Sequence, residues 1–196
     1  MKVLVACEMS GRVRDAFIKR GHEAMSCDLL DTLVEGPHYK GSVLDILYDG
    51  WDLMIAHPPC TDIAVSGSRY FKEKIADGRQ QRALDFVRTL LDAPIGKIAL
   101  ENPVSVISTN IRPPDQIIQP YQFGHDASKR TCLWLSGLRP LVPTSFVEPR
   151  IVDGKCRWGN QTDSGQNRLG PSEDRAAIRS LTYQGIADAM AEQWSD

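Results

Sequence analysis

One cysteine, which follows a short apolar run, has the residue type and position that could support covalent chemistry. Cys60 ends the segment His57-Pro58-Pro59-Cys60, which directly follows the apolar run Leu53–Ala56. Because proline fixes φ and donates no hydrogen bond, the chain leaves the run stiffly and holds the next thiol in place. A free cysteine is ordinarily a small core residue, but the polar residues after Cys60 favour a loop. We therefore expect Cys60 to be an accessible nucleophile.

A carboxyl group follows the next predicted strand. Glu101-Asn102-Pro103 comes directly after the aliphatic stretch Lys97–Leu100. In an open parallel sheet, ligands bind beyond the carboxyl ends of the strands, so residues that follow different strands can meet at one edge. A carboxyl group beside a thiol indicates a nucleophile paired with a general acid.

Two earlier strand ends also carry polar groups. The turn Cys7-Glu8-Met9-Ser10-Gly11 follows the run Lys2–Ala6, and Asp28 follows an extended piece at about His22–Cys27. The turn could admit a ligand beside a helix N-terminus, and the Asp28 carboxylate could accept hydrogen bonds from ribose hydroxyls. An ordinary turn and an exposed loop aspartate remain alternatives. The turn lacks G-x-G-x-x-G, which disfavours a dinucleotide site.

The elements that position these residues alternate between strand and helix. Helical spacing follows Gly11 and recurs over Arg79–Leu91, whose apolar residues form one stripe. Further strands are predicted at about 39–43 and Cys132–Leu135, and a last helix at about 182–194. Such alternation indicates βαβ units with right-handed crossovers. We predict a doubly wound α/β fold with a parallel sheet.

The length and composition of the chain predict one globular domain over residues 1–196. Residues 140–171, rich in Pro, Gly, Asn and Ser, are predicted to form a small loop-rich insert.

The net charge of -2 argues against strong non-specific binding to nucleic acid. We expect a cytoplasmic location, because no signal-peptide core or long apolar stretch is present. The five cysteines show no C-x-x-C pair, so we expect free thiols and no metal site, with all but Cys60 in the core.

With Pro59-Cys60 after one strand and Glu101-Asn102 after the next, the chain resembles the DNA cytosine-5 methyltransferases. The resemblance covers nearly the whole chain in the family's order and looks most like the short phage and prophage forms. Three segments match the family's cofactor site: Cys7–Arg12 lies at its cofactor turn, Asp28 at its ribose ligand and Gly41-Ser42-Val43 at its adenine contact. Two match its catalytic part: Pro59–Gly67 lies at its catalytic loop and Ser128–Leu135 at its Q-x-R-x-R strand. Thr182–Ala187 lies at its last motif.

This resemblance implies a Rossmann-like, class I S-adenosylmethionine-dependent sheet with helices on both faces, and an enzyme that methylates C5 of cytosine in DNA. The implied catalytic residues are Cys60 as nucleophile, Glu101 as proton donor at N3, Asn102 as a brace for the Cys60 loop and Arg130 as a contact to base or sugar-phosphate. The Glu101 role requires its pKa to be raised in a dry pocket.

The resemblance also implies a set of residues for S-adenosylmethionine, which are Cys7, Glu8, Met9, Ser10, Gly11, Asp28, Ser42, Val43, Pro58, Tyr183 and Gln184. Ser66 and Lys129, in matching segments, are candidate contacts for DNA. Basic and aromatic side chains add Arg69 and Tyr70 just past the catalytic loop, and Arg157 and Trp158 of the insert, for which a solvated irregular loop remains an alternative.

Three departures from the family pattern leave other functions open. Ser42 replaces an aspartate, Cys132 replaces the second arginine of Q-x-R-x-R, and the short insert replaces a large target-recognition domain. The same chemistry on single-stranded nucleic acid or a free cytosine nucleotide is one alternative. A weakly active protein that binds nucleic acid or cofactor is the other.

Overall fold

A computed structural model describes residues 1–170, 172 and 175–195, so Pro171, the last residue of the predicted insert, and Asp196 lie outside the described residues. The main sheet of the described chain contains β1 (Lys2–Ala6), β2 (Glu23–Asp28), β3 (His38–Lys40), β4 (Leu53–Ala56), β5 (Lys97–Pro103), β6 (Gln116–Ile118) and β7 (Thr131–Ser136). The helices are α1 (Arg12–Lys19), α2 (Phe71–Ala76), α3 (Arg79–Leu91), α4 (Ile107–Asn110), α5 (Arg175–Ser180) and α6 (Gln184–Gln193). Single 3₁₀ turns cover Val43–Asp45, Val65–Tyr70 and Pro120–Gln122.

The strand order is β3-β2-β1-β4-β5-β7-β6. Strands β1 to β5 pair in parallel, whereas β7 runs antiparallel to both β5 and β6. The predicted doubly wound fold is confirmed, but the sheet is mixed rather than wholly parallel. The strand β6 was not predicted, since three residues between prolines are too short to show a period of two.

Alternation along the strands builds a separate core on each face of the sheet. Val3 and Val5 of β1 pack in a cluster with Phe17 of α1 and Met190 of α6. Leu4, between them in sequence, points to the other face and packs in a cluster that includes the buried stripe of α3. Helices therefore cover both faces, as predicted, and the two layers hold the strand ends rigidly.

The predicted insert contains a hairpin. Strands β8 (Arg150–Val152) and β9 (Lys155–Arg157) pair antiparallel around Asp153-Gly154. Both turn residues have positive φ, 50° and 71°, as an Asp-Gly hairpin turn requires. This dipeptide is a sequence signal that the loop prediction overlooked. That the chain forms a single domain stays a prediction.

The cysteines divide differently from the expectation. Cys27 and Cys132 are buried, Cys7 is half-buried, and Cys60 is exposed, with no disulfide among them. Cys156 was expected in the core but is exposed, because a two-stranded hairpin has no layer to cover β9.

Candidate active site

Cys60 stands at the start of a tight turn beyond β4. Its backbone carbonyl accepts hydrogen bonds from the amides of Ile63 (3.1 Å) and Ala64 (2.8 Å). Ile63 is fully buried, so it anchors the turn in the core while the Cys60 side chain stays exposed. The geometry matches the accessible thiol predicted from the two prolines.

Two helices hold the residues that follow the thiol. The Lys74 ammonium of α2 is only 6% exposed and donates to the carbonyl of Thr61. It also lies 3.5 Å from Asp62 Oδ1, and Gln80 of α3 donates to the Asp62 carbonyl at 3.3 Å. A buried ammonium is stable only when paired, so these contacts restrain the loop.

The Cys60 loop is also joined to the segment after β5. The amide of Val65 donates to the carbonyl of Val104, and the amide of Val106 to that of Ile63, both at 3.0 Å. The Asn102 side chain donates from Nδ2 to the Pro58 carbonyl at 2.9 Å. This is the contact that the predicted bracing role of Asn102 requires, and it uses a buried residue.

Glu101 faces His57 directly. The register of β4 and β5 pairs Ala56 with Leu100, so His57, one residue beyond β4, lies beside Glu101 of β5. His57 Nδ1 is 3.1 Å from Glu101 Oε2, with only 8% and 13% of the two side chains exposed. His57 was not assigned a role from the sequence, although it directly follows one predicted strand as Glu101 directly follows the next, which is a usable signal.

The expected rise in the Glu101 pKa is not found. Burial pushes the pKa of Glu101 upward, but the hydrogen bond from His57 and the positive charges of Lys129 and His57 together hold it below its ordinary value. The prediction considered burial alone, whereas the imidazole and the ammonium stabilise the carboxylate. In the ligand-free site Glu101 is therefore a carboxylate at neutral pH.

Opposing charges act on the Cys60 thiol. Partial desolvation by the surrounding loop and the nearby Glu101 carboxylate raise the pKa of Cys60, although the residue remains exposed. Lys129 and Arg179 act in the opposite direction. The thiol is thus mainly protonated in the free protein, and any group that neutralises Glu101 favours the thiolate.

Lys129 and Arg130 lie on the segment that enters β7. Lys129, predicted to contact DNA, is within electrostatic reach of both Cys60 and Glu101 and donates to the Arg179 carbonyl at 3.0 Å. Arg130 is exposed and forms no hydrogen bond or ion pair with any described residue. Its guanidinium is within electrostatic reach of Cys132, at the start of β7.

The turn after β1 contains an incompletely paired buried carboxylate. Glu8 is 5% exposed, and its Oε1 accepts from the Ser10 hydroxyl. Its Oε2 has no hydrogen-bond partner. Gly11 has φ of 73°, and a Cβ there would meet Val34 at 2.5 Å, so only glycine fits. Cys7 has φ of 58°, and the Met9 carbonyl accepts a hydrogen bond from the Leu33 amide. These two features bend the turn around Glu8.

Asp28 ends β2 beside this turn. Its Oδ1 accepts from the Leu30 amide at 2.9 Å, while the half-buried side chain offers its other oxygen outward. Ser42 caps a short 3₁₀ turn by accepting from the Leu44 amide at 3.3 Å, and Val43 is buried beneath it. Asp28 has a free acceptor, whereas the Ser42 hydroxyl is used in the capping contact.

A buried arginine holds the loop that links β2 to β3. Arg14 of α1 is fully buried. Its guanidinium donates to the carbonyls of Val34 (3.4 Å) and Glu35 (3.0 Å), and to the Ser26 hydroxyl at 3.2 Å. This role was not predicted, since an arginine in a helix ordinarily faces solvent.

The start of α6 returns to the same edge. Tyr183 is half-buried against the His125 ring, and the Gly185 amide donates to His125 Nε2 at 2.8 Å. Gln184 is exposed and bonds Asp188. A cavity of about 290 Å³ brings Gln184 together with Ser10 and the loop after β2. A larger cavity, about 650 Å³, lies by the first half of β2, which β3 does not cover, and contains none of the predicted residues.

The predicted DNA contacts fall into two groups. Ser66, Arg69 and Tyr70 are exposed on the 3₁₀ turn beyond Cys60, where the Arg69 guanidinium lies 4.6 Å from the Tyr70 ring centroid. Arg157 instead donates to the Asp163 carbonyl at 2.9 Å. Trp158 is half-buried and stacks on the Tyr121 ring, with 4.3 Å between centroids.

The insert is tied to the segment that carries Lys129. The Asn160 side chain accepts from the Ser128 amide and donates to the Ser128 carbonyl, both at 2.9 Å. Gly159 donates to Asp126 at 2.7 Å. Residues of the insert thus position Lys129 and Arg130, a function that sequence reasoning did not foresee.

Among the described residues no group of His, Cys, Asp and Glu has the arrangement of a metal site. No helix in the described part of the chain is long and apolar enough to cross a membrane.

No family model and no curated protein matches the chain. Forty-six solved chains are similar in structure. One is an E. coli protein described as a "putative DNA modification methyltransferase encoded within prophage", with a TM-score of 0.50 and 14% identity. The match covers 78% of this chain and 56% of the solved one. At this identity the likeness concerns the fold.

The sheet order and this match define the class: the chain has the Rossmann-like fold of class I methyltransferases.

Proposed function

We propose that the protein methylates C5 of cytosine in DNA through a covalent bond between Cys60 and C6 of the base. One observation carries the proposal: an exposed thiol and a largely buried carboxylate share the carboxyl edge of adjacent strands, close enough for their charges to interact. Lys129 and Arg179 supply positive charge near the thiol. The fold supports the proposal because ligands of such sheets bind at this edge.

Cytosine C5 is a poor nucleophile until a group adds at C6. After the Cys60 thiol loses its proton to solvent, its thiolate forms the S–C6 bond as the C5–C6 π bond breaks, and the electron pair moves toward C5 and the ring nitrogen. Glu101, once it has taken up a proton, donates that proton to N3 and offsets the arriving charge. After C5 is methylated, a base removes the C5 proton, the double bond forms again, Cys60 leaves with the S–C6 electron pair and N3 returns its proton to Glu101.

The residues around Glu8 fit S-adenosylmethionine. A buried carboxylate oxygen without a partner costs free energy, and a positively charged ligand group would satisfy Glu8 Oε2. Asp28 offers an acceptor for the ribose hydroxyls one strand away. The cofactor, when bound, supplies an electrophilic methyl group. Tyr183 and Gln184 approach from α6.

Covalent trapping tests the proposal. An oligonucleotide with 5-fluorocytosine retains fluorine at C5, so the base cannot be released after methylation and stays bound to the protein. With S-adenosylmethionine present, we expect a stable adduct on denaturing gels and its mass on Cys60. The variant C60S should form none, and E101Q should reduce the trapping rate by about 10²–10⁴-fold, the usual range for a lost proton donor.

The matched control is C156S, because Cys156 is the other exposed thiol of the chain. It should trap at the wild-type rate. Adduct formation by C60S at the wild-type rate would overturn the assigned nucleophile. A wild-type protein that binds S-adenosylmethionine and never traps would favour a protein that binds nucleic acid or cofactor without this chemistry.

Single-stranded nucleic acid or a free cytosine nucleotide is a second candidate acceptor. The observation in favour is that Trp158 and Arg157, the aromatic and basic side chains of the insert, already contact Tyr121 and Asp163 within the chain. Extracting a base from duplex DNA costs a few kcal/mol, and less from a single strand. Initial rates with duplex, single strand and dCMP distinguish the three acceptors.

A further inference from the structure

The first half of β2 lacks a neighbouring strand on one side. Strand β3 pairs only with the second half of β2, from Ser26 to Asp28. The residue before β3 is Pro37, which has no N–H to donate to a neighbouring strand. The pairing therefore stops at Pro37, and Glu23–Met25 is left as an open edge of the sheet.

Ala24 directs both of its backbone groups to this open edge. The Glu23 amide donates to the Met1 carbonyl on the β1 side, whereas the Ser26 amide donates to the Pro37 carbonyl on the β3 side, both at 3.1 Å. In a parallel sheet, successive residues of a strand pair alternately with the neighbours on its two sides. Ala24 therefore faces the same way as Ser26, toward the side where no strand lies.

The amide and carbonyl of Ala24 have no hydrogen-bond partner in the described part of the chain. Continuing the ladder would require the Glu35 carbonyl as acceptor and an amide at Pro37 as donor. The Glu35 carbonyl instead accepts from the Arg14 guanidinium at 3.0 Å. Ala24 is only 3% exposed, and unpaired backbone groups that water reaches so poorly are rare. A ligand that satisfies them must supply one donor and one acceptor.

A cavity of about 650 Å³ surrounds the same edge. Ile18 of α1 lines it from one face of the sheet, and Met25, Tyr39 and Trp51 line it from the other. The cavity thus straddles the edge, and its volume is in the range of ligand pockets, about 300–1,000 Å³. An extended chain has the matching shape, because its side chains alternate between the two faces.

The charges that line the cavity favour a basic occupant. Glu23 and Asp49 are exposed, and their carboxylates form no ion pair or hydrogen bond with any described residue. The Lys2 ammonium donates to the Asp49 carbonyl at 2.8 Å. Burial and the N-terminal charge lower the pKa of His22, so its ring is uncharged at pH 7. Two carboxylates against one ammonium leave the rim negative.

We propose that the open edge of β2 binds an extended, basic peptide segment of a partner protein, which adds to the sheet as an antiparallel strand beside Ala24. The edge offers the backbone groups of one residue, and in an antiparallel pair one opposite residue exchanges both hydrogen bonds with it. The two adjacent peptide residues then turn apolar side chains toward Met25 and Trp51. Extended peptides add to exposed sheet edges in this way.

The peptide site is independent of the proposed methyl transfer. Asp28, at the opposite end of β2, is about 13 Å from Ala24 along the strand. A second copy of the chain is the poorer occupant, because its own Ala24 lies inside the same concave cavity. Two such edges would face each other across two hollows, whereas a single extended segment carries no walls of its own.

Calorimetry with synthetic peptides tests the proposal. The probe is the acetylated and amidated peptide Lys-Ile-Thr-Ile-Lys, whose threonine lies opposite Ala24 with both isoleucines on the Met25 side. Methylating the threonine nitrogen removes the N–H that bonds the Ala24 carbonyl, so affinity should fall at least about tenfold. Methylating the nitrogen of the second isoleucine is the matched control. That N–H faces away from β2, and affinity should change by less than about threefold.

Two measurements on the protein complete the test. The variant E23Q/D49N should bind the peptide about 2–10-fold more weakly, whereas E148Q, which removes an exposed carboxylate outside the cavity, should bind as the wild type does. In ¹⁵N-labelled wild-type protein, the amide proton signal of Ala24 should move downfield when the peptide saturates the site, since a hydrogen bond forms there.

Three results would overturn the inference. The first is no binding of the unmethylated peptide at millimolar concentration, and the second is equal affinity for the two methylated peptides. The third is a dimer in sedimentation experiments that the variant I18E dissociates, which would assign the edge to a second copy. None of these results depends on whether Cys60 forms an adduct, so the proposed methyl transfer and the peptide site fail separately.

Discussion

The bond between Asn102 and the Pro58 carbonyl links the two strand ends of the site, and its loss should be measurable in stability and in chemistry. Asn102 is 1% exposed, and its Nδ2 donates at 2.9 Å. The substitution N102A leaves a buried carbonyl without a partner, which costs about 1–3 kcal/mol. Because the Asn102 Oδ1 is itself buried and unpaired, its removal offsets part of this cost. We expect the free energy of unfolding to fall by about 1–2 kcal/mol.

For a chain of this size, that loss corresponds to a decrease in Tm of about 2–8 °C. The rate of trapping should be affected more strongly than the stability. The Cys60 loop keeps its two backbone bonds to the segment after β5, but Pro58 can shift, and a displacement of about 1 Å in a reacting group can cost about 10²-fold. We expect the trapping rate to fall by about 10–100-fold.

Urea unfolding and single-turnover trapping measure the two effects. Asn110 is a matched control, since its Nδ2 donates to the Val106 carbonyl at 2.8 Å from the exposed end of α4. N110A should change stability by no more than about 0.5 kcal/mol and leave trapping unchanged. If N102A is no more destabilising than N110A, or traps at the wild-type rate, the bond does not hold the Cys60 loop.

Three further predictions concern the cofactor side of the site. In G185A the new Cβ would lie 1.9 Å from the Phe123 carbonyl oxygen, so α6 must move and S-adenosylmethionine affinity should fall at least tenfold by calorimetry. R14M should lower the free energy of unfolding in urea by about 2–5 kcal/mol, because two carbonyls around the buried arginine lose their donor, at about 1–3 kcal/mol each. Burial and Arg12 lower the pKa of His125, so the folded state binds fewer protons there and stability should decrease as the pH falls below about 6.5.

Controls for these three exist in the chain. G96A adds a Cβ where no atom lies within 4 Å and should bind the cofactor normally. R20M removes an exposed ion pair with Glu192, worth at most about 1 kcal/mol. H125Q can accept a hydrogen bond from the Gly185 amide without titrating, so it should weaken the dependence of stability on pH. Some dependence should persist, because the pKa of His22 is also lowered. Equal acid sensitivity of H125Q and wild type would contradict the His125 assignment.

Long or strongly patterned elements were predictable. The bounds of β1, β4 and α3 are those expected from the sequence, because an unbroken apolar run or a 3.6-residue spacing of apolar side chains reports burial directly. Most of the short elements were not predicted, although β3 was, at about 39–43. The strands β6, β8 and β9 have three residues each, too few for a period, and their pairing depends on partners elsewhere in the chain.

The site divides in the same way. By itself the sequence predicted that Cys60 follows one strand and Glu101 the next, since apolar runs mark the strands; in the structure β5 extends to Pro103 and contains Glu101, and the sheet order places β5 beside β4. Only the tertiary structure decided that His57 faces Glu101, that Lys129 reaches both, and that Trp158 stacks on Tyr121. These contacts join residues distant in sequence, and they depend on the register of β4 with β5 and on the docking of the insert. The sign of the Glu101 pKa shift followed from those neighbours, because burial and charge act in opposite directions and only the assembled site determines which is larger.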